Sequence, residues 1–321
     1  MKPSDIDVVM PIYNAERYLE LAVRSLLQQT YPNFRIVCID DGSTDGSSDI
    51  LAALAREDSR VAVFRQENKG LVGALNAGLS QCTAPLVARM DADDIAMPER
   101  FRLQREFLNS HSDVVAVGAA ILELDSDGEA LGVDQFGSTH EAIERDMLRT
   151  KTGMAHPTVM MRREVVDSLG GYRLKYEWIE DLDLWLRMAE VGRLANLPEV
   201  LLCYRQHGSS GTWSVGQKRR ERLVALMEEA HQRRGLQLPS SLVERCMARR
   251  SPSGPNKWAR KASRNGQWGV ALKHLARQWS AAPLSLLTWR ITVEATLRSA
   301  TYRLRGADNT LPEVPEIKRA A

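Results

Sequence analysis

The chain has 321 residues and a mass of 36.0 kDa, room for about two domains and a sizeable core, which excludes a small scaffold dependent on disulfide or metal staples. Apolar residues make up 44% and charged residues 26%, which excludes a wholly disordered or collagen-like chain. The net charge of +2 conceals an asymmetry: residues 216–321 hold 21 Lys and Arg against 8 Asp and Glu, while residues 1–215 hold 22 against 33, so an acidic body precedes a basic tail.

The opening MKPSDIDVVMPIYN places Asp5 and Asp7 where a secretory leader needs an unbroken apolar run, so no targeting segment is expected. Strand-length apolar runs then alternate with helical periodicity. The runs are Ile6 to Met10, Arg35 to Ile39, Val61 to Phe64, Leu86 to Met90 and Val114 to Val117. Between the first two, NAERYLELAVRSLLQQT reads as a helix capped by Asn14, with Glu16 in its first turn and Leu19, Val23, Leu26 and Leu27 on one face, stopped by Pro32. Further helices are predicted over 45–56, 70–80 and 98–109, the last with Pro98 in its first turn. This rhythm predicts βα units around a mainly parallel, Rossmann-like sheet.

From Ile121 the rhythm degrades: LDSDGEALG and DQFGSTH are turn-rich, HPTVMM is a short strand, and helices follow over 163–169 and from Glu180. Past Gly216 only helical patterns remain, interrupted at 251–256, and NGQWGVALKHLARQWSAAP has the spacing of a helical hairpin. The last dozen residues, with Pro312 and Pro315, read as frayed. The longest late apolar stretch, 278–289, has 12 residues, too few to span a bilayer. Cys38, Cys82, Cys203 and Cys246 are scattered, suggesting neither a zinc knuckle nor a disulfide framework and fitting a reducing cytoplasm.

Three segments carry chemistry. Val37 to Asp45 (VCIDDGSTD) puts carboxylates directly after a strand, where open α/β sheets bind ligands, and suits a ribose hydroxyl or a base N–H rather than phosphate. A calcium loop would use Asp41, Ser43, Asp45, Gly46 and Asp49 but meets Ala52 at its twelfth position, and a plain helix-capping turn is the other alternative. Arg89 to Asp94 (RMDADD) clusters three carboxylates that repel unless a cation neutralises them, which implies Mg²⁺ or Mn²⁺; the bland alternative is a solvated acidic turn. Trp178 to Trp185 (WIEDLDLW) opens a helix on two adjacent carboxylates, with Trp178 and Trp185 as flat walls for a sugar ring and an Asp able to take a proton from an attacking hydroxyl; acids that merely cap a helix start are the bland alternative.

Pro11-Ile12-Tyr13-Asn14, Asp40 to Asp45, ENKGLVGALNAG around Asn68, Asp91 to Asp94, His156 to Met160 and Glu180-Asp181 follow the order and spacing of family 2 glycosyltransferases, which the chain resembles over about residues 5–210. The resemblance implies an inverting enzyme with the α/β GT-A (nucleotide-diphospho-sugar transferase) fold plus a helical C-terminal region. It divides into a catalytic domain over 1–215, with nucleotide-binding (1–120) and acceptor-binding (121–215) halves, and a basic helical region over 216–321. By the same resemblance Pro11, Tyr13 and Asp41 surround a uracil-type base, Asp91 lies beside ribose and diphosphate, and Asn68 and Arg89 neighbour the nucleotide or sugar. Asp93 holds the metal, His207 sits at a position near metal and diphosphate, and Asp181 is the general base. His156 is expected to shape the acceptor loop.

The processive members' QxxRW motif and membrane helices are missing, so transfer of one sugar is expected. The resemblance implies a UDP-sugar donor with Mn²⁺ or Mg²⁺, and, with the basic tail, a saccharide or lipid-linked saccharide acceptor of a cell-surface polymer. A cytoplasmic location is expected. In the tail, Trp258, Trp268, Trp279 and Trp289 stand among Lys and Arg, which fits either rest on an anionic membrane or a packed helical subdomain. No nucleic-acid motif accompanies the charge. Two rivals stand beside this reading: a nucleotidyltransferase, which would want a glycine-rich basic loop where the chain has PIYNAER, and a non-catalytic nucleotide-sugar-binding protein.

Overall fold

Side chains alternate between the two faces of a strand, so a strand buried on both sides must be apolar throughout. Strands β1 (Ile6–Ile12), β2 (Phe34–Asp40), β3 (Val61–Arg65) and β4 (Leu86–Arg89) lie in parallel, with Ile6 opposite both Phe34 and Leu86. In this computed structural model, residues 4–208, 216–248, 254–282, 285–305 and 311–317 are described. Val8, Met10, Ile12, Ile36 and Cys38 face helices α1 (Leu19–Leu27), α2 (Ser47–Glu57) and α4 (Arg100–Ser110), while Val9, Val37, Ile39 and Val87 face α3 (Gly70–Gln81). Each fully buried aliphatic side chain stabilises this sandwich by about 1.5–3 kcal/mol.

The sheet continues through β5 (Ile95–Ala96), β6 (Val114–Leu124), β7 (Ala130–Asp134), β8 (Met160–Arg162) and β9 (Arg193–Arg205) in the order β3-β2-β1-β4-β8-β6-β9-β5, with β7 on β6. The expected parallel character holds for β1 to β4 and for β6 with β9; β8, β7 and β5 join antiparallel. Helices α5 (His140–Met147), α6 (Arg163–Ser168) and α7 (Glu180–Met188) cover the second half. The C-terminal region is helical: α8 (Gln217–Arg233), α9 (Ser240–Ala248), α10 (Pro255–Arg264), α11 (Trp268–Ala281) and α12 (Leu286–Arg305). Of the expected break at 251–256, residues 251–253 lie outside the described residues.

Several local expectations are corrected. The turn-rich stretch after Ile121 is the β6–β7 hairpin, whose tip is held by Asp125 Oδ1 accepting from the amides of Asp127 and Glu129, both at 2.9 Å. Asn14 does not cap α1. Its φ is +50°, and its Oδ1 accepts from Thr44 N at 2.8 Å, while Glu16 Oε2 accepts from Gly46 N at 2.8 Å, so both side chains tie the loop after β1 to the loop after β2. Residues 268–281 form one helix, which packs on α10 and α12. Leu311, Val314 and Ile317 of the supposedly frayed end pack on Ile95, Leu122, Leu124 and Cys203.

The charge asymmetry has a structural counterpart. Lys273 contacts Asp125, Asp127 and Glu129 together; His274 Nε2 lies 2.9 Å from Asp125 and Arg277 2.9 Å from Asp127. Lys261 reaches Glu123 at 2.8 Å and Asp134 at 2.6 Å. Trp258 is buried with Leu131, Ala262 and Ala271, and Trp279 meets Trp289 edge to face at 4.3 Å. Most of these residues therefore serve a packed subdomain on the hairpin. Among the described residues no helix is long and apolar enough to cross a membrane.

Candidate active site

The connection β1–β2–β3 leads to one side of β1 and β4 returns on the other, so the carboxyl ends of β1, β2, β3 and β4 surround a topological switch point, where such sheets bind ligands. Pro11 lies near the end of β1 and Tyr13 just beyond it, 54% exposed. Asp41 follows β2 and is buried; its Oδ1 accepts from Gln66 Nε2 at 2.7 Å and Lys69 N at 2.9 Å, leaving Oδ2 without a partner among the described residues. Gly42 has φ +75°, and a Cβ there would stand 3.0 Å from Asn68 N, so glycine lets the loops after β2 and β3 cross. Exposed Asn68 closes this shelf, accepting from Gly70 N at 3.2 Å. Asp45 is spent on the amides of Ser47 and Glu16, which removes the calcium-loop alternative: the carboxylates of this loop do not converge.

Beyond β4 the three aspartates do converge. One carboxylate oxygen each from Asp91, Asp93 and Asp94 lie within 4.8 Å of one another. Asp91 pairs with the buried Arg89. His207, just past β9, places Nε2 2.7 Å from Asp93 Oδ2. Asp94 Oδ1 accepts from Arg205 N at 2.8 Å, whereas its buried Oδ2 has no hydrogen-bond partner among the described residues. Burial and the charges of Asp93 and Asp91 push the Asp94 carboxyl well up. Burial also raises Asp91, against the opposing pull of Arg89. Clustered hard oxygens, an orphaned carboxylate oxygen and a nearby imidazole fit Mn²⁺ or Mg²⁺.

A cavity of about 380 Å³ opens beside this cluster, lined by Arg89, Asp91, Asp93, His156, Trp178, Glu180 and Asp181 among others. Glu180 and Asp181 begin α7, where acidic residues favour the helix N-terminus. Asp181 Oδ1 accepts from Leu182 N at 2.7 Å, and burial raises its carboxyl above the usual range. Burial, then the charge of Asp181, pushes Glu180 up to about 7. His156 is buried, donates to or accepts from Tyr172 OH at 2.9 Å, and is held neutral by burial and by Arg89; it shapes the wall.

The cavity gathers Arg89, Asp91, Asp93 and Asp181, and His207 reaches it through Asp93; Pro11, Tyr13, Asp41 and Asn68 lie apart on the neighbouring shelf. The paired tryptophan walls are corrected: Trp178 lines the cavity, but Trp185 is 1% exposed and packs edge-on against His156. Sequence reasoning counted Asp94 among the clustered carboxylates without giving it a role of its own, and missed Glu180, Glu123, Asp134 and Arg219 as site residues. Asp94 and Glu180 stand inside recognised motifs, a usable signal, while Arg219 lies beyond the likeness and carried none.

The model for glycosyl transferase family 2 matches residues 7–170. The chain is 38% identical over 205 residues to the amylovoran biosynthesis glycosyltransferase AmsE of Erwinia amylovora, covering 62% of this chain and 75% of AmsE. It is 31% identical over 210 residues to the O-antigen biosynthesis glycosyltransferase WbnJ of Escherichia coli, covering 64% and 81%. In fold it resembles S. aureus TarS 1-349 in complex with UDP-GlcNAc, with a TM-score of 0.59 at 18% identity over 94% of this chain and 92% of that one. It also resembles the mannosyltransferase PcManGT of Pyrobaculum calidifontis in complex with GDP-Man and Mn²⁺, with a TM-score of 0.54 at 17% identity over 95% and 88%. The chain is a glycosyltransferase and belongs to glycosyltransferase family 2, with the GT-A fold.

Proposed function

We propose that the protein transfers one sugar, with inversion, from a UDP-sugar to a hydroxyl of a saccharide or lipid-linked saccharide acceptor in the cytoplasmic stage of cell-surface polysaccharide synthesis. The observation that carries this is one cavity lined by Asp181 together with Asp91 and Asp93. The relatives named for amylovoran and O-antigen biosynthesis support the setting, and the fold relative holding UDP-GlcNAc supports the donor. Residues 1–215 serve as the catalytic domain and 216–321 as a basic helical region docked on it.

Pro11, Tyr13, Asp41 and Asn68 bind the base and ribose on the shelf, with Asp41 Oδ2 accepting a base N–H. Asp93, with Asp91, Asp94 and His207, would hold a divalent ion, which supplies charge to stabilise the departing diphosphate. Arg89 fixes the Asp91 carboxylate. Asp181 takes the proton of the acceptor hydroxyl, whose oxygen attacks the anomeric carbon on the face opposite the leaving group; one displacement inverts that centre. NMR of the product tests this: an anomer opposite to the donor's is expected, and retention would overturn direct displacement.

Peripheral contact with an anionic membrane narrows to α12, where Leu286, Trp289 and Val293 are exposed beside Arg290. Co-sedimentation with phosphatidylglycerol vesicles tests it. The full chain should bind at low salt and Trp289→Ala should bind less, whereas equal recovery of both variants would remove this contact.

A further inference from the structure

The cavity wall is completed from the C-terminal region. Arg219, in the first turn of α8, lines the same cavity as Asp181; its Nε donates to Trp178 O at 3.1 Å, and its positive charge acts on Asp181. Trp178 has φ +73°, a left-handed conformation that is strained for a bulky side chain and persists where its surroundings hold it. The cavity's other arginine, Arg89, is buried and committed to Asp91. Arg219 makes no ion pair among the described residues, although Glu123, Asp134, Glu180 and Asp181 line the same cavity. A wall cation without a carboxylate partner, beside the base, is free to meet an anion on the acceptor.

The basic surface continues outward. Arg220 Nη1 donates to Met247 O at 2.9 Å, which sets the start of α8 against the end of α9. Two residues before Met247, Arg245 joins Arg149, Thr150 and Lys151 in lining a surface cleft of about 670 Å³ with no acid among its described lining residues, although Lys151 pairs with Asp146 at 3.6 Å and Arg149 and Arg245 also border Glu141 and Glu144. Thr152, one residue past Lys151, lines the active cavity, so cleft and cavity adjoin along 149–152. Of the cleft's three cations, Lys151 pairs with Asp146, while Arg149 and Arg245 make no ion pair among the described residues.

We propose that Arg219 and the cleft of Arg149, Lys151 and Arg245 hold an anionic saccharide acceptor, positioning its hydroxyl at Asp181 while its acidic groups follow the basic cleft. This rests on the donor and acceptor assignment above and adds the acceptor's chemical class. Arg219 is here a positioning residue; its cationic head recognises a carboxylate or phosphate on the acceptor, which a neutral glycan does not offer.

The full chain, saturated with UDP and Mg²⁺, is titrated by calorimetry with tetragalacturonate and, separately, with neutral maltotetraose. Tetragalacturonate is expected to bind more tightly, with an affinity that falls as salt rises. Arg219→Ala should weaken it about tenfold, Arg219→Lys less, and the Arg149→Ala/Arg245→Ala pair by a similar factor, with UDP affinity unchanged in each. Lys218→Ala, at an exposed neighbour outside the cavity, should change nothing. The proposal is overturned if wild type does not bind tetragalacturonate, binds maltotetraose equally well, or binds tetragalacturonate only by displacing UDP. Unaltered affinity in both the Arg219→Lys and the cleft variants also overturns it, as does tighter binding of a single-stranded oligonucleotide of equal charge. Absence of UDP binding in the same titration would instead strike the donor assignment.

Discussion

His207 and Asp93 are 114 residues apart in the chain, yet Nε2 of the one lies 2.7 Å from Oδ2 of the other, joining the end of β9 to the turn after β4. The imidazole also packs against Tyr18 at 5.2 Å, which fixes its plane. His207→Ala is expected to weaken Mn²⁺-dependent UDP binding about 10- to 100-fold while sparing metal-free UDP binding. Asp93→Ala should abolish the metal-dependent part. Calorimetry with and without Mn²⁺ decides it, and an unaltered Mn²⁺ response in His207→Ala would reduce the contact to a structural hydrogen bond.

Glu180 gives a signed pH effect. Its carboxyl is buried and pushed up to about 7, so in the folded state it keeps a proton that the unfolded chain releases near pH 4.5. Ionising it in place is unfavourable, so its destabilising effect is complete above pH 7 and vanishes as pH falls below about 4.5. Glu180→Gln should therefore gain stability relative to wild type between pH 5 and pH 8, by about 2–3 kcal/mol. Urea denaturation at the two pH values measures this, and a pH-independent difference would contradict it.

The Asp125 lock behaves with the opposite sign. Burial alone would raise this carboxyl, but hydrogen bonds from His274 and Lys273 outweigh it and hold it far below the usual carboxylate range. A depressed carboxyl contributes stability that is present above about pH 4 and is lost as pH falls further. Acid should thus release α11 from the hairpin before the sheet opens, read by the fluorescence of Trp258, which meets His274 edge to face at 5.0 Å. Asp125→Ala leaves Lys273 and His274 short of their shared partner and should lower stability by about 3–5 kcal/mol at neutral pH. A loss under 1 kcal/mol would mean that Asp127 and Glu129 suffice.

Much of the nucleotide half was legible because strands buried on both faces must be near-continuous apolar runs, as β1, β2 and β4 are, and the edge strand β3, though partly exposed, still reads as the apolar run Val61 to Phe64. The carboxylates of Asp41, Asp91 and Asp93 could be placed because they follow those strands directly. The β6–β7 hairpin was not legible: its Asp-Ser-Asp-Gly tip reads as a loop, and β6 is held extended by pairing with β7, β8 and β9, which are distant or irregular in the sequence. Asn14 misled because a local capping signal lost to a distant amide, that of Thr44. Charge asymmetry was visible in the composition, but that Lys261 and Lys273 face the acids of one hairpin was not, since complementarity is a property of docking. Arg219 was invisible for the same reason, being carried to the cavity by α8.

Asp181→Asn tests the central assignment most directly, because the amide keeps the shape of the side chain and the Leu182 N contact but cannot accept the acceptor's proton. Turnover and UDP-sugar affinity are measured on the same preparation. The expected result is unchanged donor affinity with turnover lowered roughly 10²- to 10⁴-fold. Turnover within threefold of wild type, or donor affinity lost in proportion to turnover, would show that Asp181 is not the base.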